Sequence, residues 1–187
     1  MLAIGIVIAL AALSAIMMLL ERRGLTTTLA LEFKGDLKRE TRLLAQYGQL
    51  VCTILTVILI YQLDQTRGRQ ICKALVLAVF GATFVATGLK RVLGRVRPRR
   101  ENEGKFLGFS WKHANYRESF PSSHSASAVA FSTVLALAYP QAAVTFWVLA
   151  LICAGLRYLM DAHWPSDVLG GIALGYAFGL IAWRVFF

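Results

Sequence analysis

The segment Arg157-Tyr158-Leu159-Met160-Asp161-Ala162-His163-Trp164-Pro165-Ser166-Asp167 holds the residue types of a nucleophilic site. Pro165 suits the first position of a helix, which puts Asp167 in the opening turn, within reach of an imidazole just ahead of it. A carboxylate bonded to one ring nitrogen of His163 fixes the tautomer and leaves the other nitrogen free to attack. Here the functional reading outweighs that of an ordinary helix start.

Two further clusters carry compatible chemistry. Lys90-Arg91-Val92-Leu93-Gly94-Arg95-Val96-Arg97-Pro98 offers lysine as a compact point charge and arginine as a planar fork, both suited to holding a phosphate. Alone, it reads better as an orientation signal or a lipid-headgroup contact at a membrane boundary. Ser119-Phe120-Pro121-Ser122-Ser123-His124 reads as a helix start. Serine is a good N-cap, and the free N–H groups of a first helical turn form an anion site beside which His124 would stand. By itself this cluster is better read as a capped helix with an interfacial histidine.

The elements that must position these groups are apolar. The 187 residues are 57% hydrophobic and 16% charged, with a mean hydropathy of +0.60, beyond the norm for a soluble domain. Apolar runs occupy residues 2–20, about 43–63, 70–89, 125–139, 142–160 and 168–187. Each is bounded by charge, proline or a polar turn, which predicts six membrane crossings. The first run lacks a basic leader and exceeds the usual apolar core of a cleavable signal, so it is expected to stay in the membrane. No linker divides the chain, and residues 1–187 are read as a single domain. Residues 25–42 mix leucine and phenylalanine with charge in the manner of an interfacial amphipathic helix or an ordinary solvated connection. Gly171, Gly175 and Gly179 recur every fourth residue, giving one helix face a close approach.

Six crossings place the connections 21–42, 90–124 and 157–167 on one membrane face. Lys90, Arg97, Arg157, His124, His163 and Asp167 then converge, and that convergence speaks more strongly than any single cluster. Cys52, Cys72 and Cys153 are odd in number and lie in apolar runs, which argues against a disulfide framework or a thiolate metal cluster. The net charge of +10 fits nucleic acid, an anionic membrane or a phosphorylated substrate. A role in nucleic-acid binding for Arg91, Arg95, Arg99 and Arg100 is set aside, because a basic stretch at a bilayer edge already has a membrane explanation.

With these residues in hand, the sequence resembles the type 2 phosphatidic acid phosphatase (PAP2) family, whose motifs are Lys-x6-Arg-Pro, Pro-Ser-Gly-His and Ser-Arg-x5-His-x3-Asp. Lys90 to Arg97-Pro98 matches the first, Pro121 to His124 covers the second, and Arg157, His163 and Asp167 keep the third, so the match spans about residues 90–170. Ser123 stands in place of the glycine and Leu156 in place of the serine. The resemblance implies an all-α, six-helix membrane bundle of the PAP2/haloperoxidase-like type with catalytic motifs within 90–167. It further implies that His163 attacks phosphorus, Asp167 orients it and His124 protonates the departing oxygen. Lys90, Arg97, Arg157 and the groups around Ser122 and Ser123 would hold the phosphate, with no metal ion and no cofactor required.

The implied substrate is a membrane lipid phosphate or diphosphate: phosphatidic acid, phosphatidylglycerophosphate, an isoprenyl diphosphate or lipid A. The rivals are a non-enzymatic headgroup-binding or lipid-transport protein and, more remotely, a vanadate-dependent haloperoxidase. The loop 101–120, with Lys105, Phe106, Phe109, Trp111, Lys112, His113, Tyr116 and Arg117, reads either as a headgroup-recognition loop or as a plain membrane-surface loop. Sixteen of the 20 basic residues, all but Arg67, Arg69, Lys73 and Arg184, fall on the motif-bearing side. The positive-inside rule would put that side in the cytoplasm. The resemblance to bacterial family members instead implies an inner-membrane protein whose site faces the periplasm or exterior. The sequence leaves the oligomeric state open.

Overall fold

The computed structural model describes residues 2–25, 27, 29, 31, 33–112 and 114–187. Among them are seven α-helices and no strand. These are α1 (Leu2–Arg22), α2 (Gly35–Leu44), α3 (Leu50–Leu63), α4 (Gly68–Leu93), α5 (Ser123–Ala138), α6 (Ala143–Leu159) and α7 (Pro165–Phe186). Four helical segments are long and apolar enough to cross a bilayer: α1, α4, α7, and α6 together with the turn Pro140–Ala142 ahead of it.

The other two apolar helices are shorter than the six-crossing expectation requires. α3 has 14 residues and α5 has 16, about 21 and 24 Å against a hydrocarbon core of roughly 30 Å. The run 43–63 is interrupted because Gly48 adopts φ +70°, and a side chain there would lie 2.7 Å from the Ala128 Cα. The chain turns at this point and lays Tyr47 and Gln49 on α5, with Tyr47 Oη 2.9 Å from Ser132 Oγ and the Gln49 amide bonded to Ser127 Oγ. The expected amphipathic element begins later than residue 25. It is the ten-residue α2, largely exposed, with Thr41 buried.

α5 is the centre of the bundle, packed against α4, α6 and α7. It is apolar or small all round and buried along most of its length, as a helix enclosed on every side should be. The glycine face of α7 meets it directly. A side chain at Gly171 would lie 2.5 Å from the Ser122 carbonyl oxygen, and one at Gly175 would collide with that of Ala126. α4 buries Ile71, Ala74, Leu75, Ala78, Ala82, Ala86 and Lys90 at helical spacing, so the stripe that packs the core also carries Lys90 inward. α1 is mostly exposed and docks on α7. Ser14, its one buried residue, donates to the Ser166 carbonyl at 2.7 Å.

Candidate active site

The site forms where the end of α1 and the connections after α4 and α6 meet. α4 ends at Gly94, whose φ of +60° closes the helix on the Lys90 carbonyl. Beyond it the chain runs extended between two neighbours. Val96 N–H donates to the Lys105 carbonyl at 2.9 Å on one side, while Arg97 N–H donates to the Tyr116 carbonyl at 2.8 Å on the other. Arg95 and Arg97 therefore share one face, Arg95 reaching the first turn of α7 and Arg97 the turn that precedes it. Arg97 donates to the Ala162 carbonyl at 3.2 Å.

His163 is buried, and its Nδ1 lies 2.8 Å from the Ser119 carbonyl oxygen. That oxygen can only accept, so Nδ1 carries the proton and Nε2 holds the free lone pair. Burial pushes the imidazole pKa down to about 3, with Lys90 and Arg97 acting in the same direction and Asp167 against them. The ring is neutral at physiological pH.

Asp167 does not bond to the ring as expected. Its Oδ2 stands 3.7 Å from His163 Nδ1, because it already accepts the Trp164 N–H at 2.9 Å and the Ser119 hydroxyl. Oδ1 lies 2.5 Å from Arg95 Nη1. Asp167 thus caps α7, fixes Ser119 and faces the imidazole as a charge, while the Ser119 carbonyl orients the ring.

Ser122 also differs from the phosphate-binding expectation. It is fully buried as the N-cap of α5, accepting from Ser125 N–H, and its own N–H donates to the Asp167 carbonyl at 3.0 Å. Its hydroxyl and its amide are both engaged within the protein. Ser123 and His124 open the helix, and their N–H groups have no intrahelical acceptor. Lys90, Arg97 and Arg157 lie close enough to His124 for their charges to bear on it.

Burial draws Arg97 below its ordinary pKa, and the Nε atoms of Arg97 and Arg157 are buried without an acceptor among the described residues. The structure thus gathers Lys90, Arg97, Arg157, His124, Ser123, His163 and Asp167 and withdraws Ser122 into a capping role. A cluster of buried cations beside two histidines suits an anionic, phosphorylated group rather than a metal cation.

Sequence reasoning missed three residues of this site. Ser119 lies in a cluster read as a helix start and anion site, a reading that gives Ser119 itself no part. Arg95 was attributed to the bilayer edge, although it alternates with Arg97 after a glycine stop. Glu21, which ion-pairs with Arg95 at 2.7 Å, ends an apolar run and carried no signal of its own. In the loop 101–120, Phe109 and Trp111 are exposed and pack edge to face at 5.0 Å. His113 lies outside the described residues.

Comparison with known proteins agrees with this architecture. The PAP2 superfamily model matches residues 72–187. A lipid A 1-phosphatase of Rhizobium johnstonii is 34% identical over 169 residues, covering 81% of this chain and 69% of that protein. A putative undecaprenyl-diphosphatase of Escherichia coli, YbjG, is 29% identical, covering 65% of this chain and 60% of its own length. The crystal structure of Aquifex aeolicus LpxE shares the fold with a TM-score of 0.65 at 22% identity, over 81% of this chain and 88% of that one.

Proposed function

The chain belongs to the PAP2 superfamily, and from that premise we propose that it hydrolyses the terminal phosphate of a membrane lipid phosphate or diphosphate. The observation that carries the reading is a neutral, buried His163 whose Nδ1 proton is held by the Ser119 carbonyl, set among Lys90, Arg97 and Arg157. That is a nucleophile kept unprotonated where an anion must bind.

In the proposed reaction, the Nε2 lone pair of His163 forms a bond to phosphorus as the bond from phosphorus to the lipid oxygen breaks. His124, which the negative charge of the bound phosphate would bring to its protonated form, gives its proton to that oxygen. The phosphohistidine then bears positive charge on the ring, which Asp167 stabilises from 3.7 Å. His124, now neutral, takes a proton from water as the water oxygen attacks phosphorus. Phosphate leaves with cleavage of the nitrogen–phosphorus bond, and both histidines return to their starting states. Lys90, Arg97, Arg157 and the N–H groups of Ser123 and His124 would balance the charge of the pentavalent transition state.

The similarity to lipid A 1-phosphatase and to an undecaprenyl-diphosphatase supports lipid A and isoprenyl diphosphates as first substrates to try, with phosphatidic acid and phosphatidylglycerophosphate beside them. The whole chain would act as one domain in the bacterial inner membrane, with its site toward the periplasm or exterior.

The test is phosphate release by detergent-purified protein from these four lipids with excess chelator, comparing wild type with His163→Ala. Release by wild type, reduced at least about a thousandfold in the variant, is expected. No release from any lipid by well-folded wild type would favour headgroup binding or transport instead.

A further inference from the structure

Behind His163 lies a charge cluster of which only Asp167 belongs to the three motifs. Arg95 is fully buried and divides its terminal nitrogens between two carboxylates, 2.5 Å from Asp167 Oδ1 and 2.7 Å from Glu21 Oε2. Its Nη1 also donates to Ser166 Oγ at 2.6 Å. The Glu21 side chain is only 2% exposed, and it accepts the Ser166 N–H at 3.1 Å and the Ser166 hydroxyl at 2.5 Å. The guanidinium packs 5.5 Å from the rings of Phe106 and Trp164, which close it off from water.

Three buried ionised groups are costly unless their charges and hydrogen bonds are met. Here each charge has an opposite, only Arg95 Nε lacks a hydrogen-bond partner among the described residues, and the formal sum is one negative charge. Asp167 paired with Arg95 alone would be neutral, and the guanidinium would cancel much of the field that favours positive charge on His163. Glu21 restores the deficit.

We propose that Glu21 is a positioning residue for the His163 reaction, set against the charge of Arg95. Asp167 is held at the start of α7 by the Trp164 N–H and the Ser119 hydroxyl as well as by Arg95, so what Arg95 alone adds is its positive charge. Glu21 reaches in from α1, outside the segment that the family model matches, and keeps the cluster one charge negative behind the imidazole. The inference rests on the phosphatase reading above.

A cluster that only tied α1 to α7 would look the same in the structure but respond differently to substitution. Glu21→Gln preserves shape and leaves a neutral Arg95–Asp167 pair, so kcat should fall about tenfold at unchanged KM. The double variant Glu21→Leu/Arg95→Met leaves Asp167 alone with one negative charge and should regain most of that loss. A purely structural role predicts the reverse order, because the double variant removes more contacts.

The measurement is kcat and KM for phosphate release from lipid A, phosphatidic acid and undecaprenyl diphosphate in detergent micelles, alongside thermal unfolding. Wild-type kcat in Glu21→Gln, or a folded double variant no faster than Glu21→Gln, overturns the proposal. Should the double variant not fold, Glu21→Asp, which keeps the charge, must restore what Glu21→Gln loses, and its failure to do so also overturns the proposal. A wild-type protein that releases no phosphate defeats the phosphatase reading itself, which separates the two results.

Discussion

Asp167 does several jobs through one carboxylate. It caps the α7 backbone, holds the Ser119 hydroxyl and pairs with Arg95, while its own carbonyl secures the start of α5 through Ser122. With its lone pairs so committed, it acts on His163 by charge, and the carbonyl of Ser119 takes over the role of tautomer anchor. The depressed pKa of His163 has a consequence for stability. The unfolded chain protonates this histidine near 6.5, whereas the folded protein does so only at about 3. Between these values the unfolded state binds more protons, so stability falls as the pH drops below 6.5. His163→Gln removes this titration. From pH 7.5 to 4.5, wild type should lose more thermal stability in detergent than the variant, by up to about 1.4 kcal/mol per pH unit below 6.5. Equal losses in both proteins would contradict the buried neutral imidazole.

At the scale of elements, the site depends on how closely α5 and α7 approach. α5 carries Ser123 and His124 at its start and α7 carries Asp167 in its first turn, so a widened gap would separate the halves of the site. The contact is backbone against backbone at Gly175, where even a methyl group would strike the Ala126 carbonyl. Gly175→Ala should cost about 2 kcal/mol or more. Gly155 on α6 has open space around its Cα, and Gly155→Ala should be nearly neutral or slightly stabilising. Thermal unfolding of both variants checks the pair. Comparable stability would mean that the glycine face does not govern the packing.

At the scale of the molecule, the end of α1 and the 94–119 connection meet the motif-bearing start of α7, while the turns around Gln65 and Pro140 lie together at the other end of the bundle, where Arg67 donates to the Ala138 carbonyl and Tyr139 to Asp64. The proposed orientation sets the motif-bearing face outside. In a chain with Cys52, Cys72 and Cys153 replaced, a single cysteine at Glu103 should react with an impermeant reagent on intact cells. One at Gln65 should react only after permeabilisation. The opposite pattern would place the basic, motif-bearing face in the cytoplasm, as the distribution of lysine and arginine alone would have it.

The helical, membrane-borne character of the chain and the identity of most of its candidate site residues were legible without coordinates. Apolar runs bounded by charge, and histidines at fixed spacing from basic residues, are local signals that the periodicity of a helix turns directly into position. The glycine repeat of α7 likewise announced a tight neighbour, though not that α5 would be the one. Three matters needed the tertiary structure. The break at Gly48 arises because the chain there must lie against Ala128, and no local pattern reveals a partner 80 residues away. The Ser122 amide turned to the Asp167 carbonyl, and the Asp167 carboxylate away from the imidazole ring, because each was claimed by a competing donor or acceptor from another segment. Glu21 and Arg95 entered the site because a buried charge must find its opposite, and 74 residues of chain separate this pair. Residue types and spacing could nominate the chemistry, but which hydrogen bond each group makes was decided only where three distant segments met.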